Sequence, residues 1–244
     1  MIRLALLTLV AALAVPFQER PASSDPTSVV PVPRTDTAGA ERQAEALRRV
    51  RTTESAHVVF LGASIMQGWE REGASVWKER IAPFGALQLG VGGDRTEHVL
   101  WRLENGNFDG LKPKAIVLMI GTNNTGHQKP DGYQCPAQQT ADGVKAILEK
   151  LKAKCPNAKV LLLGIFPRGA DANDKFRQQN EETNALIKAN ADEKTVFYMD
   201  IGGKFLQPDG TLSVEIMPDR LHLSPKGYEI WAEAIEGKVK GLLK

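Results

Sequence analysis

The chain has 244 residues, of which 42% are hydrophobic and 25% are charged, and its formal net charge is +2 at pH 7. This length suits one α/β domain with a short extension, and it can bury a sizeable core without disulfides or metal ions. The charge is too small to argue for nucleic acid as a partner. The basic cluster of Arg48, Arg49 and Arg51 lies in a helix-like stretch and is typical of a solvated helix face.

The first 14 residues have the pattern of a secretory signal peptide. Arg3 gives a positive start, residues 4–15 are almost wholly apolar, and the sequence ALA at 12–14 is a cleavage signal. The apolar run is shorter than the ~20 residues that span a bilayer, although an uncleaved anchor stays an alternative. Residues 15–39, rich in Pro, Ser and Thr, predict a flexible linker before a domain at 40–244. We therefore expect export to the periplasm or beyond, with no membrane span in the mature chain.

Beyond the predicted linker, apolar strand-like runs alternate with amphipathic helix-like segments. The strands are predicted at 57–61, 86–89, 115–120, 159–165 and 195–199. Helices are predicted from about 40 to 50 and at 76–81, 96–104, 139–152, 174–189 and 225–243. The pattern indicates a five-stranded parallel sheet covered by helices on both faces. Asp209 and Gly210 are a turn signal, which predicts a small hairpin before the last helix.

The first three strands each end in glycine followed by a polar side chain. The sequences are GAS at 62–64, GVGGD at 90–94 and GTNN at 121–124. Because the carboxyl ends of parallel strands lie side by side, these turns are expected to converge on one crevice. Ser64 is then a candidate nucleophile, although a serine after glycine is also common turn chemistry. One of Asn123 and Asn124 is expected to bond the loop backbone, and the other is a candidate amide donor to an oxyanion.

The GVG sequence at 90–92 also resembles the start of a dinucleotide-binding fingerprint. The third glycine of that pattern is replaced by Arg95, and the turn follows the second strand rather than the first. Nucleotide binding is therefore not predicted.

Asp219 and His222 lie three residues apart and can point toward the same site. A serine hydroxyl is a poor nucleophile until a base removes its proton, and an imidazole oriented by a carboxylate can serve as that base. The alternative is a pair of surface residues before a helix. The other three histidines show no spacing typical of a zinc site, so we predict neither a metal nor another cofactor.

The blocks at 62–64, 90–94, 121–124 and 219–222 together resemble the SGNH hydrolases, also called GDSL esterases and lipases. Within that superfamily the chain is similar to the catalytic subunits of the platelet-activating factor acetylhydrolase Ib type and to their bacterial relatives. The stretches at 92–103, 166–169 and 222–228 support the likeness. The resemblance implies a flavodoxin-like three-layer α/β/α sandwich and hydrolysis of an ester.

The resemblance also implies particular site residues. Ser64 matches the nucleophile, and Asp219 and His222 match the acid and base of the triad. The backbone N–H groups of Ser64 and Gly93 and the side chain of Asn123 match the oxyanion hole. A long loop after the third strand could line the substrate pocket, and its candidate contacts are Asn124, His127 and Tyr133.

The sequence departs from the family pattern at Ala63, where the family usually has Asp. A carboxylate there would order the neighbouring turns, so its loss puts the rate and the rigidity of the site in question. The predicted function is hydrolysis of short-chain, chiefly acetyl, esters, with an acetylated carbohydrate as the expected substrate. A lipid ester is one alternative, and a non-catalytic glycan-binding module is another.

Two further features stay open at the level of sequence. Cys135 and Cys155 could form a disulfide in an exported chain, but a helix predicted between them would hold them too far apart. A homodimer is possible, and nothing in the sequence decides it.

Overall fold

The computed structural model describes residues 27–126 and 134–244. Its centre is a five-stranded parallel sheet in the order β2-β1-β3-β4-β5. The strands are β1 Val58–Gly62, β2 Ala86–Gly90, β3 Ala115–Met119, β4 Lys159–Leu163 and β5 Val196–Met199. This confirms the predicted sheet, and the strand order is that of a flavodoxin-like fold, with a switch point between β1 and β3.

The helices that connect the strands match the predicted segments closely. They are α1 Thr37–Thr52, α2 Ser64–Gln67, α3 Ala74–Val76, α4 Thr96–Glu104, α5 Thr122–Thr125, α6 Ala137–Lys154, α7 Lys175–Ile187 and α8 Pro225–Leu242. Shorter 3₁₀ turns lie at Thr27–Val29, Gly68–Glu70, Ala82–Phe84, Lys188–Asn190 and Gly202–Phe205, and a π-turn covers Trp77–Ile81.

Alternate residues of each strand enter two separate apolar layers, which makes the fold a three-layer sandwich. Val59 and Leu61 of β1 pack with residues of α1, α4 and α6 on one face of the sheet. Val58 and Phe60 pack on the other face with α8 and an aromatic group that includes Trp69 and Trp231. Both faces of β1 are therefore buried, as its continuous apolar sequence predicts.

The described end of the predicted linker is ordered. Residues 27–36 are here called the N-terminal strap, and the start of the strap lies against α4 and α6. Ser28 is buried there, and its carbonyl accepts a hydrogen bond from the Thr96 hydroxyl. Asp36 caps α1 by accepting the Gly39 N–H at 2.8 Å. Over 27–39 these residues bond to the domain. Residues 1–26, which contain the predicted signal peptide, lie outside the described residues.

Three smaller expectations can also be compared with the structure. The hairpin predicted at Asp209 and Gly210 is present, since Leu206 and Leu212 form an antiparallel bridge. Cys135 and Cys155 flank the 18-residue helix α6 and are not joined by a disulfide. Within 27–126 and 134–244, no helix has both the length and the apolar character needed to cross a membrane.

Candidate active site

Ser64 is the first residue of α2 and follows directly from the buried strand β1. Gly62 is required at the end of that strand, because a Cβ there would lie 2.4 Å from the Met119 carbonyl oxygen of β3. The backbone N–H of Ser64 lies in the first turn of a helix, where N–H groups have no acceptor within the helix. The turn therefore presents both a hydroxyl and an N–H at the carboxyl edge of the sheet.

A chain of hydrogen bonds joins Ser64 to two residues that follow it by more than 150 positions. The Nε2 atom of His222 lies 2.8 Å from the Ser64 Oγ, and its Nδ1 atom lies 2.7 Å from the Asp219 Oδ2. The other oxygen of Asp219 accepts the backbone N–H groups of Leu221 and His222. One carboxylate thus holds both the loop and the orientation of the imidazole ring.

The hydrogen bonds of Asp219 also determine its ionisation. Burial raises its pKa, but bonds from the His222 side chain and from the backbone N–H groups of His222 and Leu221 outweigh that effect, and the pKa lies below its usual value. Asp219 is therefore a carboxylate at neutral pH. Such a carboxylate favours the tautomer of His222 that has its proton on Nδ1 and a free lone pair toward the serine.

A hydrogen bond from α8 supports the turn that carries Ser64. The Tyr228 hydroxyl donates to the Ile65 carbonyl at 2.7 Å, and burial raises the pKa of Tyr228. The tyrosine also packs against Trp69 and Trp231, with ring centroids 4.6 and 5.9 Å away. Its contribution was not predicted, because an aromatic residue near the start of an amphipathic helix is typical of the core.

The loop after β2 forms a tight turn beside the serine. The Asp94 N–H bonds to the Val91 carbonyl at 3.1 Å, and Gly93 has φ +78°. Gln67 of α2 accepts the Gly92 N–H at 2.7 Å. A Cβ built on Gly92 would lie 3.8 Å from that of Ser64, so the turn lies against Ser64.

Two arginines anchor this turn through Asp94, whose side chain is completely buried. Arg102 bonds to it at 2.8 Å and Arg34 of the N-terminal strap approaches it at 3.4 Å. Burial raises the pKa of Asp94 to about 6, against the opposing effect of these two positive charges. Sequence reasoning missed both arginines, since Arg34 lies in the predicted linker and Arg102 in a helical pattern that is typical of a solvent-exposed charge.

The two adjacent asparagines make different contacts. The Asn123 amide donates to the Asp94 backbone carbonyl at 2.8 Å, which places its side chain beside the Gly93 turn. Asn124 is fully buried, accepts the Thr96 N–H and donates to the side chains of Thr96 and Glu97. Asn124 is therefore a structural link between α4 and α5 rather than the predicted substrate contact.

The other two predicted substrate contacts, His127 and Tyr133, lie outside the described residues. The described residues that were predicted to act together, Ser64, His222 and Asp219, are in direct contact. In the described part of the chain, no group of three or more His, Cys, Asp or Glu side chains is placed to hold a metal ion.

Ala63 occupies the position that departs from the family pattern. It is buried and packs in the apolar layer on one face of the sheet, with Leu61, Ile120 and other aliphatic residues. It precedes α2 without a side-chain cap. The turn that carries Ser64 is thus held by backbone bonds, by Gln67 and by Tyr228, and not by a side chain at 63.

Comparison with known proteins identifies the family of the chain. Residues 60–230 match the model of the GDSL-like lipase/acylhydrolase family. The chain is 38% identical over 187 residues to the platelet-activating factor acetylhydrolase IB subunit alpha1 of Homo sapiens. The aligned region covers 76% of each of the two chains.

Solved structures show the same fold. A GDSL-like lipase from Bacteroides thetaiotaomicron superposes with a TM-score of 0.65 and 21% identity, over 84% of this chain and 99% of that one. An acetylxylan esterase from Geobacillus stearothermophilus superposes with a TM-score of 0.60 and 17% identity, over 77% and 96% of the two chains. By its family match and its identity to the acetylhydrolase subunit, this chain belongs to the GDSL-like lipase/acylhydrolase family, the SGNH hydrolases, and is a carboxylic ester hydrolase.

Proposed function

We propose that this enzyme hydrolyses short-chain esters, chiefly acetyl esters, through a covalent acyl-enzyme on Ser64. The observation that carries the proposal is the continuous chain of hydrogen bonds from Asp219 through His222 to the serine hydroxyl, at 2.7 and 2.8 Å. Both distances are within the range in which a base can take a proton directly.

In the proposed mechanism His222 removes the Ser64 proton while the hydroxyl oxygen attacks the ester carbonyl. Asp219 holds the ring and stabilises the imidazolium that forms. His222 then gives the proton to the leaving alcohol, and the acyl group stays on the serine. Water repeats the sequence with His222 as base, which releases the acid and restores the enzyme.

The negative oxygen of each tetrahedral intermediate needs hydrogen-bond donors that are already in place. The N–H of Ser64 lies in the first turn of α2, and the N–H of Gly93 belongs to the neighbouring turn with positive φ. The amide of Asn123 is fixed beside that turn by its bond to Asp94. We assign the oxyanion hole to these three groups.

The preference for a short acyl group is supported by a small cavity beside the turns that carry Ser64 and Asn123. A cavity of about 10 Å³ lies between the ends of β1 and β3, and its lining includes Ala63, Ile65 and Thr122, the sequence neighbours of Ser64 and Asn123. That volume is about the size of one water molecule. It suits a methyl group and not a long acyl chain.

The alcohol part of the substrate is proposed to be a carbohydrate. A groove of about 420 Å³ begins at Gly92, beside the nucleophile, and continues along α1. Charged and polar side chains line most of it, including Glu41, Arg42, Glu45 and Gln67. Hydroxyl groups of a sugar can bond to such side chains, whereas a lipid tail would leave them unpaired.

A lipid ester is the second candidate, because the curated relative at 38% identity is an acetylhydrolase subunit named for platelet-activating factor. The two candidates share the acetyl group and differ in the alcohol. We therefore propose to compare acetylated xylo-oligosaccharides with an acetylated glycerophosphocholine of equal acetyl concentration. Higher kcat/KM on the sugar supports the proposal, and higher kcat/KM on the lipid would replace it.

The acyl preference and the nucleophile are tested with p-nitrophenyl esters. Activity is expected to fall as the acyl chain lengthens from acetyl to octanoyl, and Ser64→Ala is expected to abolish it. Unchanged turnover by the correctly folded Ser64→Ala protein would exclude the proposed mechanism. A fluorophosphonate probe should label the wild type and not this variant.

Export to the periplasm or beyond is a further part of the proposal, supported by the sequence of residues 1–14 alone. Fractionation of bacteria that express the full chain, or a chain without residues 1–14, tests it. Activity outside the cytoplasm only with the full chain is the expected result, and equal distribution of both chains would contradict it.

A further inference from the structure

We propose that Arg34, from the N-terminal strap, is a positioning residue that orients the oxyanion-hole peptide between Gly92 and Gly93. The inference rests on the proposed function, since it assigns a part in catalysis to a residue outside the triad and the three oxyanion donors. Arg34 lies outside residues 60–230, which the family model matches.

The argument begins with the contact between Arg34 and the turn. The Arg34 Nη1 donates to the Gly92 carbonyl at 2.5 Å, and its Nε donates to Asp36 at 2.7 Å. The guanidinium is mostly buried, with 14% of the side chain exposed. A hydrogen bond from a charged donor is short and strong, so this carbonyl is firmly held.

The Gly92 carbonyl and the Gly93 N–H belong to the same peptide group. That group is planar and trans, so its C=O and its N–H point in opposite directions. Fixing the carbonyl toward Arg34 therefore fixes the N–H on the opposite side. The positive charge at the oxygen also polarises the peptide, which makes the N–H a stronger donor to an anion.

The turn itself does not fix this peptide. The bond from the Asp94 N–H to the Val91 carbonyl, together with φ +78° at Gly93, is the pattern of a type II turn. Types I and II share that bond and differ by a flip of their central peptide, which here is the one between Gly92 and Gly93. Glycine at both central positions allows either form. An external contact must select one, and Arg34 supplies it.

The neighbouring contacts hold other parts of the loop. Gln67 accepts the N–H of Gly92, which belongs to the preceding peptide, and Asn123 bonds to the carbonyl of Asp94, which belongs to a later one. Arg42 of α1 donates to the Gly90 carbonyl at 3.4 Å and pairs with Glu70. Arg80 of the π-turn pairs with Glu236 of α8 at 2.8 Å and does not line the groove along α1, so it is the matched control arginine.

The test compares Arg34→Met with Arg80→Met on p-nitrophenyl acetate. Arg34→Met is expected to lower kcat by about 10- to 100-fold, somewhat less than the loss of an oxyanion donor, with KM changed by less than about twofold. Arg80→Met is expected to keep kcat near the wild-type value. Arg34→Lys, which keeps a charged donor, should recover part of kcat. Thermal unfolding of each variant shows how much of any change reflects stability.

A second measurement reports on the oxyanion hole without turnover. When a p-nitrophenyl phosphonate modifies Ser64, its P=O oxygen takes the oxyanion position. The rate constant for this modification should therefore fall in Arg34→Met, as kcat does. Equal kcat and equal phosphonylation in Arg34→Met and Arg80→Met would overturn the inference. A rise in KM at constant kcat would also overturn it, because Arg34 would then bind substrate in the groove. Activity in Ser64→Ala would instead refute the proposed function itself.

Discussion

The carboxylate of Asp219 makes two kinds of contact with His222, one to its ring at 2.7 Å and one to its backbone N–H at 2.7 Å. The loop that follows the hairpin therefore closes on the carboxylate that orients the His222 ring. Arg220, between the two residues, has a positive φ of 59°, which this tight closure requires. The geometry of the proposed base is thus fixed within four consecutive residues.

Replacing Asp219 by Asn is expected to lower kcat by about 10³- to 10⁴-fold, because the amide N–H would face the imidazole and favour the wrong tautomer. Stability should change little, since Asp219 is largely exposed and Asn can still accept the loop N–H groups. Initial rates on p-nitrophenyl acetate measure the effect. Asp209→Asn is the matched control, because Asp209 accepts the Thr211 N–H in a similar loop outside the site. Similar rates in both variants would contradict the assignment of Asp219.

The adjacent asparagines should give opposite phenotypes. Asn123→Ala is expected to lower kcat by about 10²- to 10³-fold, because it removes one hydrogen-bond donor to the oxyanion. Asn124→Ala is expected to reduce the free energy of unfolding by about 1–3 kcal/mol, because it leaves the buried Thr96 N–H without its acceptor. Urea unfolding and steady-state kinetics separate the two effects. A kinetic defect confined to Asn124→Ala would show that the two assignments are reversed.

Much of the fold follows from local periodicity, and the site follows from where the strands end. The apolar run that forms β1 and the glycine at 62 are enough to place Ser64 at the edge of the sheet. The buried arginines are different, because no local pattern distinguishes an arginine that bonds a distant carbonyl from one that faces water. Arg34 contacts Gly92, 58 residues away, and only the tertiary structure shows that contact.

Ala63 can be tested by restoring the carboxylate that the family pattern contains. Ala63→Asp is expected to destabilise the protein by about 1–3 kcal/mol and not to raise kcat, because the side chain would enter an apolar layer beside a cavity of only about 10 Å³. Ala63→Ser adds a single hydroxyl and is expected to have a smaller effect. Thermal unfolding and kcat on p-nitrophenyl acetate are the measurements. If Ala63→Asp raised both the thermal stability and kcat, the turn would contain hydrogen-bond donors for a carboxylate. The wild-type site, with Ala63, would then be an impaired form of the family's site.

His98 makes stability depend on pH. Burial, followed by the positive charges of Arg95, Arg34 and Arg102, lowers its pKa to about 3, and its Nδ1 accepts the Arg95 N–H at 3.0 Å. Since the unfolded histidine has a pKa of about 6.5, the unfolded state takes up a proton first as the pH falls. The contribution of His98 is therefore present above about pH 6.5 and is lost progressively as the pH falls toward 3.

His98→Gln keeps an acceptor for the Arg95 N–H and cannot be protonated, so its free energy of unfolding should fall less than that of the wild type between about pH 7.5 and about pH 5. Urea unfolding at the two pH values measures the difference. Equal pH dependence in the two proteins would show that His98 is protonated in the folded state as readily as in the unfolded chain.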